Sequence, residues 1–318
     1  MNIDRRSFIK NSGKSIIGIS AISAIPLLAN NNANLADANS ETFFKISLAE
    51  WSLNKNLFGK KITNMDFPDI AKNEFGIHAV EYVNQFFVDK AEDEAYLKEL
   101  KSRTEDLGVE NVLIMIDQEG HLADADDAKR TECIENHYKW VEAAKFLGCH
   151  SIRVNAYATS KDPEEGKAAA VDGLARLTEF ASPYNINIIV ENHGGFSSDG
   201  QWLSSVIKQV NQPSCGTLPD FGNFCIEPGT DGCIKEYDRY KGVKELMPYA
   251  KGVSAKSGEF DTDGNAVDTD YLKMMKIVKS AGYTGYVGIE SGSNTPEGEY
   301  ESVKLTKALL ERVGTKIS

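Results

Sequence analysis

The sequence predicts an α/β fold of the (β/α)8 TIM barrel type, and three observations carry that expectation. From Phe44 onward, short β-branched runs alternate with longer helical patterns eight times. The runs are apolar almost throughout, as strands covered on both faces must be. The turn after the first run reads Trp51-Ser52-Leu53-Asn54, with no G-x-G-x-x-G and no G-x-x-x-x-G-K, so the nucleotide turn of a doubly wound sheet is missing. Eight such units fit the length of the chain.

The first strand is expected near 45–50 (Ile46-Ser47-Leu48) and the second near 78–83, where His-Ala-Val-Glu-Tyr-Val is read. The third covers 111–116 (Asn-Val-Leu-Ile-Met-Ile) and the fourth 151–155 (Ser-Ile-Arg-Val-Asn). Four more lie near 187–192, 215–220, 252–257 and 285–290. Helices fill the gaps near 66–75, 91–107, 127–147, 164–184, 199–210, 234–248, 269–281 and 297–313. Gly76, Gly108, Gly148 and Gly282 stand just past helix ends, where a left-handed C-cap is wanted. No internal repeat or second domain is visible.

Composition bounds the function. With 318 residues, 41% hydrophobic and 26% charged, the chain is neither disordered, nor collagen-like, nor a disulfide miniprotein. Its formal charge of −12 repels polyphosphate, and residues 39–318 hold no basic patch, so nucleic acid is not an expected partner.

The basic cluster at the start has another meaning. Arg5-Arg6-Ser7-Phe8-Ile9-Lys10 resembles the twin-arginine export signal, and an apolar stretch from Ile16 to Ala29 follows, interrupted by Gly18 and Pro26. That stretch is too short and too broken for a stable membrane anchor. Ala36-Asp37-Ala38 supplies small residues for cleavage. The expected organisation is therefore a signal peptide over 1–38 and one barrel domain over 39–318, delivered to the periplasm by the Tat machinery. Cleavage would remove four basic and two acidic residues and take the charge from −12 to −14. Of the five cysteines, Cys225 and Cys233 are near enough to bridge a loop, and Cys133, Cys149 and Cys215 read as buried apolar thiols. The odd count leaves at least one thiol free.

Side chains at the C-terminal ends of barrel strands converge on one mouth. Strand two carries Glu81, and strand four carries Arg153 and Asn155. Strand five ends Val190-Glu191-Asn192-His193 and strand six ends Pro219-Asp220-Phe221-Gly222-Asn223. Strand seven is Ser254-Ala255-Lys256, and strand eight ends Gly288-Ile289-Glu290. Singly, each acid reads equally well as a solvated strand end or a cap. Three acids after three apolar runs would repel one another in one cavity, and a divalent cation neutralises such a set.

On these residues the chain resembles the xylose isomerase-like barrels of the sugar phosphate isomerase/epimerase superfamily. The resemblance implies one Mn²⁺, Mg²⁺, Co²⁺ or Zn²⁺ ion held by Glu191, Asp220 and Glu290. The family's strand-seven histidine is replaced here by Ser254, and its Asp-x-x-His by Asp220-Phe221-Gly222-Asn223. His193 or water stands as a substitute ligand, and Lys256 is an alternative neutraliser of the acids. The same resemblance implies an isomerase or epimerase working on a small keto-sugar or polyol derivative through an enediolate. Glu191 and Glu290 would move the proton, and Lys256 would stabilise the oxyanion. His193, Asn223, Trp51 and Glu81 are the expected substrate contacts, and Arg153 is expected in an internal ion pair. His78, His121, His137 and His150 are read as structural. Two alternatives remain open at this point: a keto-sugar lyase or dehydratase on the same site, and a non-catalytic sugar-binding barrel.

Overall fold

In the computed structural model of the protein, residues 42–318 are described, and the expected signal over 1–38 lies outside them. In chain order the strands are β1 (Lys45–Ala49), β2 (Ala79–Val83), β3 (Glu110–Met115), β4 (Ser151–Asn155), β5 (Asn187–Glu191) and β6 (Cys215–Leu218). They continue with β7 (Cys225–Gly229), β8 (Gly232–Glu236), β9 (Val253–Ser257) and β10 (Tyr286–Ser291). The helices are α1 (Asn54–Phe58), α2 (Phe67–Phe75), α3 (Glu94–Leu107), α4 (Asp127–Leu147), α5 (Pro163–Ala181), α6 (Gly200–Val210), α7 (Arg239–Leu246), α8 (Tyr271–Ser280) and α9 (Pro296–Ile317).

Eight strands form one parallel sheet in the order β6-β5-β4-β3-β2-β1-β10-β9, which is the predicted barrel. The seam between β6 and β9 is closed by separate bonds rather than a full ladder. Lys251 N–H donates to the Thr217 carbonyl at 3.0 Å, Ser254 N–H to Pro219 at 2.9 Å, and Phe221 N–H to Ser254 at 3.0 Å. Pro219 has no N–H to offer, which stops β6 after four residues and turns the chain towards the mouth.

Six helices start behind an aspartate whose carboxylate accepts backbone amides: Asp93, Asp126, Asp162, Asp199, Asp238 and Asp270. Six of the negative charges are therefore caps on the outer ring. The main apolar core lies between strands and helices. A smaller cluster, including Ala79, Val83, Leu113, Met115, Ile189 and Leu218, fills the inside of the barrel. No helix among the described residues is long and apolar enough to cross a membrane.

One expected element is corrected. The helix expected over 234–248 begins only at Arg239, behind the Asp238 cap. Residues 232–236 instead form β8, paired antiparallel with β7, with Gly229 opposite Gly232 across Thr230-Asp231. The glycine-flanked pair is a tight hairpin turn, and Cys225 bonds to Cys233 across it. Cys133, Cys149 and Cys215 are free and buried.

Candidate active site

Strand alternation decides what enters the barrel. On β10, Val287 and Ile289 pack outwards against helices, so Gly288 and Glu290 point in; on β5, Ile188 and Val190 pack out and Glu191 points in. Ser254 and Lys256 of β9 face the same interior. The result is one buried polar cluster at the mouth, in which carboxylate oxygens of Glu191, Asp220 and Glu290 all lie within 4.8 Å of one another.

Each acid has its own protein partners. Arg153 Nε stands 2.8 Å from Glu191 Oε2. The two groups meet as charges rather than along a hydrogen bond, since neither atom has a hydrogen-bond partner. The amide of Asn223 donates to Glu191 Oε1 at 2.9 Å. Asp220 Oδ1 accepts the backbone N–H groups of Gly222 (2.8 Å) and Asn223 (2.7 Å), and its Oδ2 accepts the Ser254 hydroxyl at 2.7 Å. Lys256 pairs directly with Glu290 Oε1. Ser254 therefore holds Asp220 by a hydrogen bond.

The electrostatics divide the acids. Burial pushes the Glu191 carboxyl up to about 7, with Arg153 pulling down and Glu290 pushing further up. Burial likewise raises Asp220 to about 7, opposed by Lys256. Glu290 is buried too, but the Lys256 ammonium outweighs desolvation and holds it below the usual carboxylate range. Lys256 itself stays protonated, because the three carboxylates outweigh its own burial.

The remaining expected residues fall in distinct places. Glu81 is 1% exposed. It lies one layer beneath Glu290, in space that only Gly288 leaves: a Cβ there would stand 2.5 Å from Glu81 Oε1. Ser47 donates to that oxygen, while Oε2 has no partner. Asn223 uses its amide to hold Glu191. His193 is exposed at the mouth, where partial desolvation and the charges of Arg153 and Lys256 lower its pKa. Trp51 is half-buried on the rim, edge-on to Phe58 at 6.0 Å and tilted on Phe86 at 6.1 Å. His137 is buried in α4 and bonded to the Cys133 carbonyl at 2.7 Å, a structural role.

Two site residues were not singled out from the sequence, and a third has a wider role than expected. Asp117 accepts Arg153 at 2.8 Å and Asn155 at 2.7 Å, and despite burial these partners pull it down to about 2. It follows the apolar third strand as Glu191 follows the fifth, so the same signal would have found it. Asn192 clamps the β6 turn, accepting Asp220 N–H at 2.8 Å and donating to its carbonyl at 3.0 Å. The third is Arg153 as a bridge: its ion pair was expected, but not that it joins Asp117 to Glu191.

A divalent cation fits this set. With all four ionised, Asp117, Glu191, Asp220 and Glu290 would oppose only Arg153 and Lys256, and a divalent ion would supply the two missing positive charges. The donors are all oxygens, which suit hard ions such as Mg²⁺ or Mn²⁺ better than Zn²⁺.

Residues 69–309 match the family described as xylose isomerase-like TIM barrel. No curated protein matches the sequence. Among solved structures, an IolI protein with a bound zinc atom superposes with a TM-score of 0.66 at 16% identity, covering 86% of this chain and 99% of that one. A D-tagatose 3-epimerase-like protein gives 0.64 at 19% identity, covering 86% and 100%. The E. coli 3-keto-D-glucoside 4-epimerase YcjR gives 0.60 at 14%, covering 83% and 99%. At such identities the likeness is one of fold.

Proposed function

The chain belongs to the xylose isomerase-like TIM-barrel family, and on that premise we propose that its mouth isomerises or epimerises a keto-sugar by moving a proton between carbons. The observation that carries the reading is the convergence of Glu191, Asp220 and Glu290, with Lys256 paired to Glu290 alone. Solved structures of the same fold described as sugar epimerases support it.

Two neighbouring acids, one to take a proton and one to return it, are what such a reaction needs. Glu290, ionised beside Lys256, takes the proton from the carbon next to the substrate carbonyl. The electron pair left behind moves onto the carbonyl oxygen, giving an enediolate. The Lys256 ammonium donates a hydrogen bond to that oxygen. Glu191, whose burial raises its affinity for a proton, returns a proton to the same carbon, which epimerises it; isomerisation would instead put the proton on the neighbouring carbon while the enediol O–H proton passes to the other oxygen. Arg153 and Asn223 fix the Glu191 carboxyl in position. Glu191, Asp220 and Glu290 would hold a divalent ion, which when bound polarises the substrate carbonyl and hydroxyl.

Solvent-deuterium exchange tests the reading. Wild type should place deuterium from D₂O on a substrate carbon, and Glu290→Gln should slow this by roughly 10²–10⁴-fold. Bound metal is to be measured in the same samples, because the substitution also removes a ligand charge. A wild type that binds sugars yet exchanges no C–H proton in any tested keto-sugar would overturn it. The sugar-binding alternative would then hold, favoured by Ser254 standing where an imidazole is usual. We also propose that residues 1–38 direct export, on the strength of Arg5-Arg6 and the interrupted apolar stretch after them.

A further inference from the structure

On the outer flank of the barrel, α7 and α8 border a groove of about 670 Å³, within the ~300–1,000 Å³ span of small-ligand sites. Its walls carry four lysines, Lys241 and Lys244 from α7 and Lys273 and Lys276 from α8. Each pair is spaced i,i+3, which puts both side chains on one side of their helix. No basic run marks this place in the sequence, because the two pairs come from different helices and meet only in the fold.

Such a cluster stands out in this chain. The formal charge is −12, with 47 acidic residues against 35 lysines and arginines, yet a single acid, Asp270, lines the groove. That carboxylate is engaged as the cap of α8, accepting the Lys273 backbone N–H at 3.0 Å. Among the described residues, only Lys241 of the four has a carboxylate beside it: Glu245 at 3.8 Å, which also accepts the Tyr237 hydroxyl at 2.8 Å. Lys273 is placed instead by an aromatic ring, its ammonium 3.6 Å from the Tyr240 centroid. Tyr240 is fixed in turn, since its hydroxyl accepts the Asp270 N–H at 2.9 Å. Like charges gathered this way repel one another, and an anion between them removes that cost.

The walls narrow the chemistry of the anion. Planar carboxylates are best met by the arginine fork, and no arginine lines the groove. Lysine ammoniums are compact point charges with three donors each, which suit the several oxygens of a phosphate. Leu272 and Ile277, both half-buried, add an apolar strip that serves an organic part. The positive charge is confined to this groove on a strongly negative molecule, so a long polyanion or a flat anionic surface would meet repulsion beyond it. A small ligand avoids that repulsion.

We propose that the groove between α7 and α8 binds a small organic phosphate ester. None of its lining residues belongs to the cluster at the mouth, so the inference is independent of the proton-transfer reading.

The test is calorimetric titration of the whole protein near pH 7 with phenyl phosphate, which carries about −1.5 to −2 charge there, and with benzoate. Wild type is compared with a double variant, Lys244→Glu with Lys276→Glu, and with a control, Lys98→Glu with Lys208→Glu, which makes the same charge change at exposed sites on α3 and α6. Phenyl phosphate should bind wild type with a Kd of about 1 mM or below, and more tightly than benzoate. Binding should weaken at least about ten-fold in the groove variant, the loss of one charge-assisted contact or more, and stay within about two-fold in the control. No binding of phenyl phosphate to wild type, or equal binding in the groove variant, overturns the proposal. Equal losses in both variants overturn it as well, since net charge and not the groove would then set the affinity. Benzoate binding as tightly as phenyl phosphate refutes the choice of phosphate. Phosphatidylglycerol vesicles that bind wild type while phenyl phosphate does not would give this flank to a membrane surface and reject the small ligand.

Discussion

Replacing Glu81 by Gln removes one ionisable group from the barrel interior while keeping its outline. Ser47 donates to Glu81 Oε1 at 2.5 Å, and Oε2 is buried with no partner. Burial raises this carboxyl from 4.5 to about 7; Ser47 and Arg153 oppose the shift, and Glu290 and Glu191 add to it. An acid raised in the folded state stabilises the fold while protonated. That contribution is complete below the unfolded value and is lost as pH rises through the folded one. Between 4.5 and about 7, at about 1.4 kcal/mol per pH unit, it amounts to about 3 kcal/mol. The Gln amide introduces a buried N–H₂, a penalty of ~1–3 kcal/mol that does not vary with pH. The slope with pH, not the offset, therefore isolates the acid. Urea unfolding at pH 5, 6, 7 and 8 in EDTA should show wild type losing about 2–3 kcal/mol more than Glu81→Gln over that range. Two stability curves that run parallel from pH 5 to pH 8 would refute a proton buried beneath Glu290.

Asp220→Asn keeps an oxygen for the Gly222 and Asn223 amides and an amide beside Ser254, so the fold should persist. Mn²⁺ titrated by calorimetry should bind at least about 100-fold more weakly, since even outer-shell changes cost 10–100-fold; unchanged affinity would place the ion elsewhere. Changing Cys225 and Cys233 together to Ser opens a loop with a separation of 8 residues. The chain-entropy value is about 2.5 kcal/mol, read as a Tm drop of about 5 °C, whereas an unchanged Tm would show that the hairpin melts apart from the barrel. Replacing Arg5 and Arg6 by Lys should leave precursor in the cytoplasm, because lysine keeps charge but not guanidinium geometry; normal export of that variant would exclude the twin-arginine route.

The sequence by itself determined the barrel, because apolar runs, helical periodicity and glycine C-caps are local signals readable within a few residues. It also determined that Glu191, Asp220 and Glu290 share a mouth, since each follows a run that parallel packing forces into the sheet. Asp117 was legible by the same rule. The hairpin was missed because Cys233-Ile234-Lys235-Glu236 suits a helix start as well as a strand, and only its antiparallel partner β7 settles the choice. The pairings inside the mouth belong to tertiary structure alone. Lys256 meets Glu290 across 34 residues, Ser254 meets Asp220 across 34, and Arg153 meets Asp117 across 36. Such contacts depend on strand register and barrel stagger, in which a one-residue slip would turn every inward side chain outwards. The depth of Glu81 is the clearest case. It looked like a mouth residue in one dimension, and it lies a layer lower because Gly288 on β10, two strands over and more than two hundred residues away, leaves the room.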